Sequence, residues 1–267
     1  MEFLGYISAL FVGLSLGLVG SGGSILAVPI LVYLFKIKNM EEATHYSMFV
    51  VGTTAFIGAF RKYQEKLVDL KTAVYFLIPS LLSLFFTRKI VLPLIPKILF
   101  SVGDLVITKD VFLLLLFAVI MLLASYSMYK NAQEEDVDCF NDTPNANQNH
   151  LKTCIAALLV GMLTALLGAG GGFLIVPILI LLKEHCMRRA IGTSLVIITI
   201  NSLVGFIGDL NTQLNWKLVI SFTLIAVTGM MIGIQLSKKL DGAELKKMSS
   251  MIILLMGIYI ILKELLV

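Results

Sequence analysis

The sequence predicts an all-α integral membrane protein made of two homologous helical repeats, the second inverted relative to the first, with glycine-broken helices at the centre. Three observations predict it. Of 267 residues, 58% are hydrophobic and only 14% charged, whereas soluble domains carry about 25% charged residues. Mean hydropathy is +0.95, which excludes an ordinary soluble protein. The chain also divides into apolar stretches of helix length, and its two halves repeat each other.

Apolar stretches run over 3–19, 24–35, 43–60, 72–87 and 111–129, then over 151–167, 173–182, 190–207, 217–236 and 248–266. A span needs about 20 predominantly apolar residues, so the chain holds roughly eight to ten of them. Between the two sets lies NAQEEDVDCFNDTPNANQNH, residues 131–150. It is acidic, rich in Asn and without an apolar run, the composition of a linker. The expected organisation is a first transmembrane repeat at 1–130, the polar linker at 131–150 and a second repeat at 151–267.

The repeat is explicit in the residues. GLSLGLVGSGGSILAVPIL from Gly13 matches GMLTALLGAGGGFLIVPIL from Gly161, 148 residues on. Gly20, Gly22, Gly23 and Pro29 thus pair with Gly168, Gly170, Gly171 and Pro177. At an offset of 147, ATHYS (43–47) faces AIGTS (190–194), and Lys71 and Lys217 begin corresponding later helices. Duplicated hydrophobic halves are typical of secondary transporters.

A single helix over 3–36 would be about 50 Å long, too long for a hydrocarbon core of about 30 Å. It must break, and the glycines mark where, since they tolerate backbone angles that end one helix and begin another. The first basic residue is Lys36, so the opening stretch lacks the charged start of a signal peptide and is expected to remain as a span. If the break separates two crossings, Lys and Arg divide 13 to 8 with the linker cytoplasmic; if 3–36 crosses once, they again divide 13 to 8, with the linker outside. Both counts place the termini outside and the 183–189 and 237–247 loops in the cytoplasm. The first is favoured, because five crossings per repeat invert the second repeat. Cys139, Cys154 and Cys186 show no CxxC or Cys–His spacing, which suits a fold independent of disulfides and without a metal site.

Two constellations are candidate chemistry. The breaks GSGGS (20–24) and GAGGG (168–172), placed at helix N-termini, would aim free N–H groups and positive dipole ends at a small anion. Packing of small residues explains them equally well when each break is taken alone. The candidate binding set there is Gly20, Gly22, Gly23, Ser24, Gly168, Gly170, Gly171 and Gly172. A P-loop is excluded, because no Lys-Ser/Thr pair follows the glycines. The second constellation is polar residues within apolar helices: Ser47 and its match Ser194, Thr53, Thr54, Thr193, Ser202 and above all Asn201, the costliest to bury. His45 and Asp209 are candidates for proton coupling, although both lie near expected helix ends, where a cap or solvated position is the commoner role.

These paired Gly-Gly-x-x-x-x-x-Pro motifs, each followed by its A-x-x-x-S helix, resemble the TauE/SafE sulfite exporter family over nearly the whole chain. The resemblance implies a duplicated carrier of the cell membrane, moving small sulfur-containing anions such as sulfite, sulfoacetate or other organosulfonates, with no cofactor. Its first repeat departs from the pattern: Ser24 replaces the third glycine, and His45-Tyr46 stands where the second repeat has Gly192-Thr193. The expected partners are a small anion and the lipid bilayer, with a homo-oligomer left open and nucleic acid excluded. An intramembrane enzyme and an anion channel are the competing classes. There is no GxSxG or HExxH, and neither Asp104 nor Asp209 lies inside a long apolar run, as an aspartyl protease requires.

Overall fold

A computed structural model of the protein describes residues 2–20, 22–35, 37, 40–96, 98–102, 105–131, 150–167, 172–183, 186–208 and 215–266. The helices are α1 (Glu2–Val19), α2 (Gly22–Tyr33), α3 (Met40–Gln64), α4 (Leu70–Phe86), α5 (Lys109–Asn131), α6 (His150–Leu167), α7 (Gly172–Lys183), α8 (Met187–Ile207), α9 (Trp216–Ser237) and α10 (Gly242–Leu266). A π-helical segment, Thr87–Val91, and a single turn, Leu92–Leu94, prolong α4. The fold is all-α as expected, with one short hairpin between α4 and α5, where β1 (Ile98–Val102) and β2 (Leu105–Thr108) pair antiparallel. Their residues, ILFSV and LVIT, are β-branched and apolar and flank a Gly-Asp pair in the sequence, a common hairpin signature.

The outside of this fold is oily. Val74, Ile78, Leu82 and Phe85 on α4, and Met251, Leu255, Ile258 and Leu262 on α10, are exposed large hydrophobics at helical spacing. Such stripes suit a bilayer and would be a liability in water. Among the described residues four helices are long and apolar enough to cross a membrane, covering Leu70–Val91, Met187–Ile207, Trp216–Ser237 and Gly242–Lys263. Of these, Met187–Ile207 is 72% buried inside the protein, against 39–44% for the other three. Helix α8 is therefore the central element.

Gly20 ends α1. Its φ is +74° and its N–H donates to the Leu16 carbonyl at 2.8 Å, a left-handed cap that glycine adopts without strain. Helix α2 then runs back along α1: Gly23 abuts the Val12 carbonyl and Leu16, while Phe35 packs on Gly5 and edge-on to Tyr6. The segment 3–36 is thus an antiparallel hairpin.

The order of contacts fixes the direction of the other pairs. On α3 and α8, His45 meets Phe206, Met48 meets Gly205, Gly52 meets Leu203 and Gly58 meets Leu195, so they are antiparallel. On α5 and α10, Ser125 meets Ser250 and Leu122 meets Gly257, also antiparallel. Helix α4 runs parallel to α8, with Asp69, Ser80 and Arg88 meeting Thr193, Asn201 and Gly205 in turn. Helix α1 runs parallel to α9, and their backbones touch: a Cβ on Gly13, Gly17, Gly229 or Gly233 would overlap a carbonyl of the other helix. Such GxxxG faces let membrane helices approach closely. Gly161 of α6 sits equally close to the Ser80 carbonyl of α4.

Cys186, buried just before α8, is disulfide-bonded, whereas Cys154 is free. The sequence suggests a fold that does not depend on disulfides, and Cys186 nevertheless takes part in one.

The α1–α9 contact yields a prediction. Gly17→Leu drives a side chain into the Met230 carbonyl, an overpacking that costs about 1–3 kcal/mol or more. The purified variant should melt lower than Leu14→Met, a volume-conserving change nearby. Equal melting temperatures would show that α1 and α9 can separate freely.

Candidate functional site

The antiparallel α3–α8 pair crosses near Gly52–Thr54 and Thr199–Leu203, where a Cβ on Gly52 would come within 3.2 Å of Ser202 Cβ. Thr54 and Asn201 are 147 apart in the sequence, the offset at which ATHYS faces AIGTS. Both are fully buried. Asn201 Nδ2 donates to Ser80 Oγ on α4 at 3.2 Å, and that hydroxyl also reaches the Leu77 carbonyl at 3.0 Å. An amide has two N–H donors and a carbonyl, so Asn201 keeps capacity beyond Ser80.

Hydroxyls here fall into two kinds. Those of Thr164, Thr199, Thr223 and Ser249 donate back to the carbonyl four residues earlier, the usual solution inside a membrane helix. Ser15, Ser47, Thr54 and Ser202 are buried with no hydrogen-bond partner. A buried hydroxyl left unsatisfied costs about 1–3 kcal/mol, so these four are donors held ready. Of the polar residues on these helices, Asn201 and Ser80 are hydrogen-bonded across α8 and α4, and Ser202 lies against Gly52 of α3.

The structure separates Ser47 from Ser194. Ser194 donates to the Ile191 carbonyl at 2.8 Å and lies 3.4 Å from the Gly20 carbonyl, so the first break does meet a serine of the second half. Ser47 lies at the other end of the pair, beside His45 and Met48, which meet Phe206 and Gly205. The twelve residues from Ser194 to Phe206 of α8 span roughly 18 Å, too far for one small anion to touch both serines. Gly20 serves the turn and Gly23 serves packing against α1. Gly22 and Gly172 begin α2 and α7, and Ser24 lies in the first turn of α2. Gly168, Gly170, Gly171 and Asp209 lie outside the described residues.

Each end of the central pair is tied down. At one end the Asp69 N–H, at the start of α4, donates to Thr193 Oγ1 at 3.0 Å, and the Leu67 carbonyl presses on Gly192. At the other end the Asn215 N–H, at the start of α9, donates to the Tyr46 hydroxyl at 2.7 Å. Asp69 and Asn215 both cap their helices, accepting from Thr72 and Leu218 N–H. Tyr46 and Thr193 are themselves repeat-equivalent, 147 apart. The two ties are therefore the same contact made once at each end.

Each tie has its own reinforcement. Beside Tyr46, His45 stacks on Phe206 at 4.6 Å, Phe206 packs on Phe49, and Phe49 meets Trp216 edge-on. His45 is only 2% exposed, which corrects the expectation of a solvated helix end. Beside Asp69, Glu65 holds Lys238 at 2.7 Å and the buried Lys62 at 3.4 Å, and Arg188 donates to the Leu240 carbonyl at 3.0 Å. Burial alone would raise the Glu65 carboxyl, but the hydrogen bond from Lys238 and the charge of Lys62 outweigh it and hold the carboxyl below its ordinary value. Ser15, Ser80 and Arg88, whose guanidinium donates to the Gly205 carbonyl at 2.8 Å, are polar residues that the sequence reading passed over. Pro79-Ser80 and Arg88 close to an apolar run were the available signals.

The described residues form a multi-pass helical bundle with an apolar exterior and a hydroxyl- and amide-bearing centre. The sulfite exporter TauE/SafE family model matches residues 6–260, and the chain belongs to that family. It is similar to a probable membrane transporter protein of Xylella fastidiosa, 29% identical over 94% of this chain and 91% of the relative. Probable membrane transporter proteins of Methanocaldococcus jannaschii and Bacillus subtilis are 26% and 24% identical, covering 98% and 97% of this chain and 97% and 98% of their own lengths. No solved structure matches the chain.

The Glu65 ion pairs carry a pH dependence. A carboxyl with a lowered folded pKa stabilises the protein above its unfolded pKa, about 4.3 for Glu, and that stabilisation is lost as pH falls through the folded value. Melting temperature should therefore drop on acidification from pH 6 to below pH 4, and less steeply in Glu65→Gln. Identical profiles for the two proteins would remove Glu65 from the tie.

Proposed function

We propose that the protein is a secondary transporter of small anions built from two inverted repeats, 1–130 and 151–267, joined by the 131–150 linker. The observation that carries this reading is the antiparallel packing of α3 on α8, the A-x-x-x-S helices of the two halves. The antiparallel pair α5 and α10, and the repetition of the Tyr46–Asn215 tie as Thr193–Asp69, support the same symmetry. One net crossing by 3–36 would make α3 and α8 parallel, so the hairpin of α1 and α2 favours ten alternating crossings. The 13 basic residues then lie on the side of Glu65 and the linker, which is the cytoplasm by the positive-inside rule.

The substrate is taken from the family: sulfite, sulfoacetate or another organosulfonate. A sulfite or sulfonate group, with three oxygens on its sulfur, needs hydrogen-bond donors in replacement when it leaves water. Thr54, Ser202, Asn201 and Ser80 supply them at the midplane, without a cation that would hold the ion too tightly for release. The Gly20–Ser194 contact lies on the cytoplasmic path and Ser47 on the outer path. Each is a station on the route rather than half of one site, and Gly20 of the first break belongs to the inner one. His45 and Asp209 remain the groups for proton coupling.

Alternating access follows from the paired ties. Opening outward breaks Tyr46–Asn215 while Asp69–Thr193 holds, and opening inward does the reverse. In a background with the three cysteines replaced by Ser, Ser47→Cys should label faster with an external impermeant maleimide when Tyr46→Phe is added. Thr193→Val should slow that labelling, because it frees the inner end. Each hydrogen bond is worth about 1 kcal/mol, so shifts of roughly fivefold are expected. Shifts in the same direction for both variants would sink the paired-gate reading.

Transport itself is tested in proteoliposomes loaded with an ion gradient, against sulfite, thiosulfate, taurine-like sulfonates and simple carboxylates. Gradient-dependent uptake of the sulfur anions, lost in Asn201→Leu at normal incorporation, is the expected result. Uptake of none of them by the unmodified protein removes the substrate reading, and normal uptake by Asn201→Leu moves the site off the crossing.

A further inference from the structure

On the lipid-facing surface a groove of about 490 Å³ opens between α5 and α10. Its floor is the tight part of that helix pair, where Ser125 Oγ donates to the Ser250 carbonyl at 2.8 Å. Its walls are Tyr126 and Tyr129 on α5 and Lys247, Met251 and Leu254 on α10. The rings and the thioether face outward: Tyr126 is 72% exposed, Tyr129 56% and Met251 62%. The groove is thus an apolar trough with two phenols and one ammonium along its edge.

Position decides what fits it. Helices α5 and α10 are antiparallel, so the last turn of α5, with the exposed Lys130, lies level with the first turns of α10, where Lys247 stands. Both ends belong to the face that carries most of the basic residues. Among the described residues the acidic neighbours are Asp241 and Glu244, and the Glu244 carboxylate already accepts the Asp241 N–H at 3.2 Å. Lys246 is buried. That leaves Lys130 and Lys247 as cations flanking the mouth, with tyrosines at the depth where aromatic belts meet headgroups. Basic pockets between helices on the cytoplasmic side suit anionic headgroups.

We propose that this groove is a binding site for an anionic phospholipid of the cytoplasmic leaflet. One acyl chain lies along Met251 and Leu254, and the phosphate sits between Lys247, Lys130 and the tyrosine hydroxyls. A neutral zwitterionic lipid can place its chain in the same trough but brings its own cation to the lysines, so the site discriminates by charge. The leaflet assignment rests on the proposed topology; the site itself needs only that the chain is in a membrane.

The test is lipid retention by the full-length protein, purified in detergent and titrated with phosphatidylglycerol or phosphatidylcholine of identical chains, read by native mass spectrometry. Phosphatidylglycerol should be retained in preference. Lys247→Gln should lower its retention about fivefold, the effect of one lysine near an anionic surface, and leave phosphatidylcholine unchanged. Met251→Trp, which fills the trough with apolar bulk, should lower retention of both. Lys247 is exposed, so its variant folds even if the tryptophan variant does not. The proposal is overturned if the two lipids are retained equally, if Lys247→Gln keeps its phosphatidylglycerol, or if Met251→Trp changes the monomer–dimer ratio in place of lipid retention, which would make the groove an interface between copies. None of these outcomes depends on whether the protein transports a sulfur anion.

Discussion

The arrangement depends on one contact, the antiparallel crossing of α3 and α8. Helix α8 carries Thr193, Ser194, Thr199, Asn201 and Ser202, all buried, a polar density that lipid would not tolerate. It is stable only because other helices surround it. Small residues set the distance: Gly52, Gly58 and Gly205 lie against side chains of the facing helix or its neighbour, so α3 and α8 approach closely enough to exclude lipid. The polar centre is therefore a consequence of burial geometry, and the apolar outer helices exist to provide it.

The flanking contacts are of another physical kind. Where α1 meets α9, backbone touches backbone through Gly13, Gly17, Gly229 and Gly233, and α4 meets α6 in the same way at Ser80 and Gly161. Such contacts leave no room to slide without a clash, because interiors are packed rather than fluid. The α3–α8 crossing is held by side chains instead, and its end ties are single hydrogen bonds worth about 1 kcal/mol each. Motion is easiest where the contacts are weakest. Since α1 is locked to α9 and α4 to α6, any moving body must take helices from both halves of the sequence. The halves are intertwined, and the unit of duplication differs from the unit of motion.

That distinction explains what the sequence could and could not reveal. Spans were legible from apolar length: 217–236 became Trp216–Ser237, and 173–182 became Gly172–Lys183. The break was legible at Gly20, because only a residue without a Cβ sits comfortably at φ +74°. The matched serines were legible as a pair but not as a distance. Antiparallel helices bring matched positions together only where they cross and push all others apart, so Ser47 and Ser194 lie at opposite ends of the pair. No one-dimensional pattern says where two helices cross. Ser80 was missed for the same reason, being defined by its hydrogen bond to Asn201 on a helix 121 residues away.

The absence of a cation at the crossing has an electrostatic consequence. An anion entering a low-dielectric centre meets a desolvation cost of several kcal/mol even after relaxation, and a lysine there would repay it so fully that release became slow. Neutral donors repay less, but they repay it to any small oxyanion of suitable size and act at every pH, because Thr, Ser and Asn do not titrate in the physiological range. Selectivity must then come from shape and from the number of donors that an anion can engage at once. The cations stand at the ends instead, Arg88 over the last turn of α8 and Lys62, Lys238 and Arg188 at the opposite face. In the proposed transport path such cations, closer to water, would raise the local concentration of anions without trapping one. Attraction at the mouths and weak binding at the middle would then let an anion both enter and leave.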